Sequence, residues 1–132
     1  MKQSILYLDD ETACLDIFQN VLNGDFEVRT AVTHEQARRL LAEHPSDIVV
    51  SDQLMPEMSG TEFLREVAEK YPASCRVLLT GNMAVGNVLR EIGNGDIHFF
   101  LTKPWTIQEM RLMLERAGEY LNSRMEHNRL FI

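Results

Sequence analysis

The chain has 132 residues, of which 45% are hydrophobic, and its formal net charge is −7 at pH 7. This length suits one globular domain with a substantial core, and no second domain of similar size fits. The acidic balance argues against direct nucleic-acid binding, which usually needs a clustered basic face.

The N-terminal stretch "MKQSILYLDD" becomes acidic too soon for a signal peptide, and no apolar run approaches the ~18 residues of a membrane span. Cys14 and Cys75 lack the spacing of a metal site, so we expect two free, buried thiols. These features together predict a cytoplasmic protein with no membrane segment.

Short apolar runs alternate with helical patterns along the chain. The predicted strands lie at residues 4–8, 26–31, 47–51, 76–80 and 97–101. The helical patterns begin after Asp10, at Thr33, at Ser59, near Met83 and at Thr106. Thr33, Ser59 and Thr106 each have Gln or Glu three residues later, which is the spacing of a capping box. Five repeats of strand and helix, with strands apolar on both faces, predict a parallel sheet covered by helices on each side.

Polar side chains follow four of the predicted strands. Asp9 and Asp10 follow the first, Asp52 follows the third, Thr80 ends the fourth and Lys103 follows the fifth. Because the carboxyl ends of parallel strands lie at one edge, where open α/β sheets bind ligands, we expect these side chains to converge. Adjacent carboxylates repel one another unless a cation joins them, and oxygen ligands suit Mg²⁺. A lysine and a hydroxyl group nearby can bind added negative charge, so this edge is predicted to be a phosphoryl site.

The same residues lie in the phrases "LYLDDE", "SDQLMP", "LLTGN" and "FFLTKPW", each of which closes a predicted strand. In this order they resemble the receiver domain of two-component response regulators, the CheY-like family, over residues 3 to about 120. The resemblance implies an α/β fold, a flavodoxin-like, doubly wound (βα)5 three-layer sandwich with the parallel sheet order 2-1-3-4-5. It also implies the family's cis peptide bond, here between Lys103 and Pro104.

The resemblance assigns a role to each residue at this edge. Asp52 would accept a phosphoryl group from a sensor histidine kinase or a phosphotransfer protein. Asp10 and Asp52 would hold Mg²⁺ together with the backbone carbonyl of Gln53, and Asp9 would act through a metal-bound water. Such a chain is a signalling domain and not an enzyme, although it assists its own phosphorylation and dephosphorylation.

Three further residues are implied to sense the phosphoryl group. Lys103 would contact one phosphoryl oxygen, Thr80 would close onto another, and Phe100 would turn inward. Because Phe100 has no hydroxyl group to bond, we expect a switch driven by packing. Its output would be the face formed by the fourth helix, the fifth strand and the fifth helix. The simpler interpretation is that Phe100 is a core residue.

Other interpretations stay open at this point. The three aspartates could cap the helices that follow them, Thr80 could be a turn residue, and Lys103 could be a surface charge. A Mg²⁺-dependent, phosphatase-like enzyme is a weaker alternative, since no insertion for substrate recognition interrupts the loops.

Leu54 and Asn82 occupy positions that in relatives influence the hydrolytic water. Leu54 cannot orient a water, so it predicts slow loss of the phosphoryl group.

The last helical pattern is longer than the core requires. Apolar residues at three- and four-residue steps predict a fifth helix packed on the sheet, namely Ile107, Met110, Leu114, Ala117 and Leu121. We assign residues 1–121 to the receiver domain and residues 122–132 to an extension of this helix. The extension is expected to be a linker to an output domain in a longer regulator, or a dimer contact.

The phrases "LLTGN" and "FLTKPW" resemble those of receivers joined to cyclic-di-GMP phosphodiesterase, cyclase or kinase modules. The alternative is a stand-alone receiver that acts as a phosphorelay intermediate or a protein-binding module. Homodimerisation through the switch face or the C-terminal helix is open in either case.

Overall fold

The computed structural model describes residues 2–81, 90 and 94–130, with side chains as far as residue 124. Its strands are β1 (Ser4–Leu8), β2 (Glu27–Ala31), β3 (Ile48–Asp52), β4 (Cys75–Thr80) and β5 (Phe99–Thr102). Its helices are α1 (Thr12–Leu22), α2 (His34–Glu43), α3 (Gly60–Lys70) and α4 (Ile107–Leu130). The helix predicted near Met83 and the residue Asn82 lie outside the described residues, so α4 is the fifth predicted helix.

The five strands are all parallel and form one sheet in the order β2-β1-β3-β4-β5, which confirms the predicted order. The three central strands are buried along their whole length. Strands β2 and β5 are partly exposed, so the expectation of strands buried on both faces is wrong for these two. Each of them is an edge strand with a neighbour on one side only. Strand β3 also includes Asp52, one residue beyond its predicted end.

Two apolar clusters cover the two faces of the sheet. Alternate residues of β1 divide between them, because successive strand side chains point to opposite faces. Ile5 and Tyr7 pack with α1 and α4, whereas Leu6 and Leu8 pack with α2 and α3. The result is the predicted three-layer sandwich of helices, sheet and helices.

Helix α4 packs on the sheet through Met110, Leu114 and Ala117, which are all buried, as the periodicity predicts. Ile107 does not join them and is 41% exposed, because it is the first residue of the helix and borders an open groove. None of the helices that the structure describes is long and apolar enough to cross a membrane.

The predicted capping boxes are complete at two of the three helix starts. At α3 the Ser59 side chain accepts from the backbone N–H of Glu62, and the Glu62 side chain accepts in return. Thr106 and Glu109 make the same pair of bonds at α4. At α2, Thr33 accepts from the backbone of Gln36, but the Gln36 amide oxygen accepts from Val32 N–H. The capping box predicted at α2 therefore lacks its second hydrogen bond, because the long Gln36 side chain reaches Val32, one residue before Thr33.

Gly60 places the start of α3 directly against the end of β3. A methyl group at this position would overlap the backbone carbonyl oxygen of Asp52 and lie 2.8 Å from the Leu78 side chain. This close approach fixes the loop that follows Asp52, which is the loop beside the predicted site.

Candidate functional site

The polar residues predicted to converge lie at the carboxyl edge of the sheet. One carboxylate oxygen from each of Asp9, Asp10 and Asp52 lies within 4.8 Å of the others. The Lys103 ammonium group lies 2.8 Å from Asp9 Oδ2 and 3.3 Å from Asp52 Oδ2. The predicted convergence of these four side chains is confirmed, while their chemical roles stay predictions.

Lys103 is the cation that holds two of the carboxylates together. Its side chain is 17% exposed and also lies 3.8 Å from Glu11. Burial alone would lower the pKa of Lys103, but the hydrogen bond and charge of Asp9, together with the charge of Asp52, raise it above its ordinary value. The ammonium group is therefore charged at neutral pH. Three carboxylates facing one ammonium group leave the cluster with excess negative charge.

Asp9 is the most heavily hydrogen-bonded member of the cluster. Its Oδ2 accepts from the Tyr7 hydroxyl at 2.7 Å and from Lys103 at 2.8 Å, and its Oδ1 accepts from Glu11 N–H at 2.9 Å. These donors occupy three of the roughly four acceptor positions of a carboxylate. Burial, followed by the hydrogen bond to Asp9, raises the pKa of Tyr7 well above its ordinary value, so the hydroxyl stays a donor.

Among the residues that the structure describes, few donors reach Asp52 and Asp10, so most of their acceptor positions are open. Burial, followed by the charge of Asp9, raises the pKa of Asp52, and Lys103 only partly opposes this. Asp10 is exposed to solvent. Neither residue caps a helix in this structure: Ser59 caps α3, and Glu11 stands at the cap of α1 without a side-chain bond. The interpretation of these two aspartates as helix caps is therefore wrong.

The backbone carbonyl of Gln53 is already partly engaged. It accepts a hydrogen bond from Gly60 N–H at 3.1 Å. The Gln53 side chain accepts from Thr61 N–H, so the residue is tied to the start of α3. A carbonyl oxygen has two lone pairs, and one of them remains for another partner.

Thr80 lies on β4 and Phe100 on β5, the two strands that follow the Asp52 strand β3 in the sheet order. Thr80 ends β4 and is 8% exposed, and its backbone carbonyl accepts from Lys103 N–H at 2.8 Å. Phe100 lies opposite Leu78 on the edge strand β5 and is 38% exposed. Phe100 is therefore not a core residue in this structure. The peptide bond between Lys103 and Pro104 is cis, as the resemblance implied.

An apolar groove, which the sequence analysis did not identify, adjoins the cluster. It has a volume of about 560 Å³ and runs between α1 and the start of α4. Ile17 and Ile107, which are 50% and 41% exposed, lie in its walls with Trp105 and Lys103. Cys14 also borders it and is only half buried, so the prediction of a buried thiol holds for Cys75 alone. The available signal was Ile17, an apolar residue outside the buried stripe of α1.

Comparison with known proteins identifies the family. The family model for the response regulator receiver domain matches residues 5–115. The chain therefore belongs to the response regulator receiver domain family. Members of this family are signalling domains that interact with histidine kinases and typically bind Mg²⁺ at an acidic pocket.

Three similar proteins are informative. The hydrogenase transcriptional regulatory protein HoxA of Cupriavidus necator is 31% identical over 119 residues, which are 87% of this chain and 25% of that protein. The signal receiver domain of an HD domain-containing protein from Pseudomonas fluorescens Pf-5 has a TM-score of 0.85 and 32% identity, covering 95% of this chain and 93% of that one. A structure of adenylate cyclase from Rhodopirellula baltica has a TM-score of 0.92, covering 99% and 98%, and at 24% identity this likeness shows the fold alone.

The donor set of the cluster fits Mg²⁺. The ion prefers oxygen ligands, keeps several waters and takes only one or two carboxylates directly. Asp10 and Asp52 have open acceptor positions, and the excess negative charge of the cluster favours a divalent cation.

Proposed function

We propose that the chain accepts a phosphoryl group on Asp52 from the phosphohistidine of a sensor histidine kinase or a phosphotransfer protein. The observation that carries this proposal is the position of Asp52. Its nearly buried carboxylate ends a central strand, lies 3.3 Å from the Lys103 ammonium group and shares the edge with Asp9 and Asp10.

Mg²⁺ would be held by Asp10 and Asp52, the residues whose carboxylates keep open positions. The second lone pair of the Gln53 carbonyl would complete the protein ligands, and Asp9 would act through a water. When bound, the ion supplies positive charge that lets a dianionic phosphoryl group approach an acidic cluster.

The chain's own residues perform the transfer by position and charge. A carboxylate oxygen of Asp52 forms the new O–P bond while the P–N bond of the donor breaks. The leaving nitrogen keeps the bonding electron pair and takes up a proton from solvent, which gives neutral imidazole. Lys103, now shared between Asp9 and Asp52, contacts a phosphoryl oxygen, and the Thr80 hydroxyl donates to another. The rigid sheet keeps these groups in register during the transfer.

The groove between α1 and α4 is the proposed docking surface for the phosphodonor. It adjoins Lys103 and presents Ile17, Trp105 and Ile107 to solvent, which is an apolar surface that a donor helix can cover. A donor docked there has its histidine beside the cluster.

The output lies beyond the receiver. The chain spans a quarter of HoxA, so we infer that it belongs to a longer regulator, with residues 122–132 as the linker. The sequence phrases favour an output of the cyclic-di-GMP phosphodiesterase, cyclase or kinase type. Among the relatives, one receiver belongs to an HD domain-containing protein, whereas HoxA is a transcriptional regulator. A stand-alone receiver in a phosphorelay is the alternative. The acidic net charge disfavours nucleic acid as a partner. A second copy of the chain is a further candidate partner, through the switch face or the C-terminal helix.

The proposed switch depends on Phe100. Its 38% exposure leaves the ring free to turn inward after Thr80 has moved toward the phosphoryl group. NMR spectra of the resting and activated states of wild type and Phe100→Ala test this. We expect the activated-minus-resting shifts on β5 and α4 to shrink in the variant, and identical shifts would refute the role of Phe100.

The test of the proposed function is intact mass spectrometry after incubation with Mg²⁺ and acetyl phosphate. We expect one added phosphoryl group in wild type, none in Asp52→Ala and none without Mg²⁺. An unlabelled wild type that still binds Mg²⁺ would instead indicate a receiver fold used as an interaction module. Repeated turnover of a small phosphoester would favour the phosphatase-like enzyme.

A further inference from the structure

A buried tyrosine hydroxyl lies directly behind the acidic cluster. Tyr7 is 0% exposed, and its hydroxyl donates to Asp9 Oδ2 over 2.7 Å. Asp9 is also 0% exposed. Solvent therefore has no access to replace this donor, so the hydrogen bond has no substitute if the hydroxyl is removed.

The position of this hydroxyl is fixed by aromatic neighbours. The Tyr7 ring packs edge-on against Phe18 with ring centroids 4.7 Å apart, and Phe18 packs in turn against Trp105 at 6.4 Å. This ring packing fixes where the hydroxyl group lies, and its proton is directed at Asp9 Oδ2.

Asp9 and Lys103 both depend on this donor. Asp9 Oδ2 is shared between Tyr7 and Lys103, while Lys103 is shared between Asp9 and Asp52. The Tyr7 hydrogen bond takes up part of the charge of Asp9. It therefore limits how strongly Asp9 competes with Asp52 for the ammonium group.

We propose that Tyr7 is a positioning residue, whose hydroxyl fixes the orientation of Asp9 and keeps Lys103 available to a phosphoryl group on Asp52. This inference rests on the proposed phosphoacceptor function. It assigns to a residue of the apolar core a part in setting both cation affinity and the rate of phosphorylation.

Removing the hydroxyl has opposite effects on these two properties. In Tyr7→Phe the charge of Asp9 is less compensated, so the cluster attracts cations more strongly, and we expect the Kd for Mg²⁺ to fall by about threefold. Lys103 is drawn to Asp9 and away from Asp52. We therefore expect the phosphorylation rate at saturating Mg²⁺ to fall by roughly tenfold.

The experiment combines calorimetric titration with Mg²⁺ and the rate of mass increase with acetyl phosphate at saturating Mg²⁺. Tyr120→Phe is the matched control, because Tyr120 packs against His98 and Phe99 and lies outside the cluster. It is expected to match wild type in both measurements. Trp105→Leu removes the ring that packs against Phe18, which in turn holds Tyr7, and smaller changes of the same signs are expected. It carries the test if Tyr7→Phe does not fold.

Tighter Mg²⁺ binding together with slower phosphorylation supports the proposal. Unchanged values, or a loss of both properties together, would overturn it, since the second pattern describes a hydroxyl that only maintains the fold. If wild type itself takes no phosphoryl group, the proposed function fails. The Mg²⁺ titration alone then decides whether Tyr7 controls Asp9, and an unchanged Kd refutes that as well.

Discussion

Two buried charge clusters at opposite edges of the same sheet differ in how their charges are satisfied. At the amino edge, Arg76 is 4% exposed and all its described partners are neutral oxygens. They are the backbone carbonyls of Tyr71, Ser74, Gly95 and Asp96 and the hydroxyl of Ser74, at 2.8 to 3.3 Å. At the carboxyl edge, Asp9 and Asp52 share one lysine, and Asp10 adds a third carboxylate.

The difference separates a structural cluster from a functional one. The Arg76 guanidinium group is matched by acceptors and joins the loops on either side of β4, so no ligand is required. Within the described part of the chain, Asp10 and Asp52 keep open acceptor positions and excess negative charge, which a divalent cation would relieve. Buried polar groups are normally paired, so unmet charge at a ligand-binding edge indicates chemistry.

The largest effect is expected at the amino edge. Arg76→Met leaves the carbonyls of two loops without their donor in a buried position, so the free energy of unfolding should fall by about 3–5 kcal/mol. Urea unfolding measures this loss. Arg39→Met is the matched control on an exposed side chain, with an expected change within about 0.5 kcal/mol. A loss as small as that of the control would show that Arg76 does not stabilise the fold.

His98 adds a pH dependence to the same cluster. Its Nδ1 accepts from Arg76 N–H at 2.9 Å, and burial, followed by the charge of Arg76, lowers the pKa of His98 to about 4. The unfolded chain then binds one more proton than the folded chain between pH 6.5 and about 4. Stability is therefore lost as pH falls through this window, by about 1–2 kcal/mol after allowance for residual solvent.

His98→Asn tests this dependence, because an amide oxygen can replace Nδ1 as the acceptor but does not titrate. Unfolding measured from pH 7 to pH 4 should show a shallower fall in the variant than in wild type. Parallel curves for the two proteins would exclude His98 as the source.

Removing a charge should have the opposite effect on stability at the carboxyl edge: there it should raise the free energy of unfolding, whereas at the amino edge it lowers it. Asp52→Asn relieves repulsion with Asp9 and Asp10, so in Mg²⁺-free buffer the free energy of unfolding should rise by about 1 kcal/mol. Mg²⁺ should stabilise the variant less than wild type. Asp25→Asn removes an exposed carboxylate that pairs with Arg111, and it should not raise stability. A destabilised Asp52→Asn would mean that this cluster is structural too.

The smallest effect concerns the lifetime of the phosphoryl group. Leu54 is 76% exposed beside Asp52 and offers no group to orient a water. Leu54→Asn should speed loss of the phosphoryl group by about threefold, equivalent to less than 1 kcal/mol in the barrier. The measurement is the decay of the phosphorylated mass after the donor is removed. An unchanged half-life would refute this role of Leu54.

The sequence was sufficient to predict the carboxyl edge but not the amino edge. Asp9, Asp10, Asp52 and Lys103 each follow a strand, and parallel strands bring their carboxyl ends together, so position along the chain predicts proximity. Arg76 bonds mainly to backbone carbonyls, which carry no residue-type signal, and the sequence showed it only as the first residue of an apolar run.

The contacts within the site were also beyond sequence reasoning. Tyr7 belongs to an alternating apolar run, and its hydrogen bond to Asp9 depends on the exact direction of both side chains. Ile107 fits the periodicity of the core but borders the groove, because helical spacing does not show where the sheet ends. The strand order and the cis bond were predicted through family resemblance, and both are confirmed.

The most direct test of the account is to locate the phosphoryl group after reaction with acetyl phosphate and Mg²⁺. Borohydride reduction converts an aspartyl phosphate to a stable product, and peptide mass spectrometry then identifies the modified residue. The account predicts modification at Asp52 alone. Modification at Asp9 or Asp10, or none in a protein that binds Mg²⁺, would contradict it.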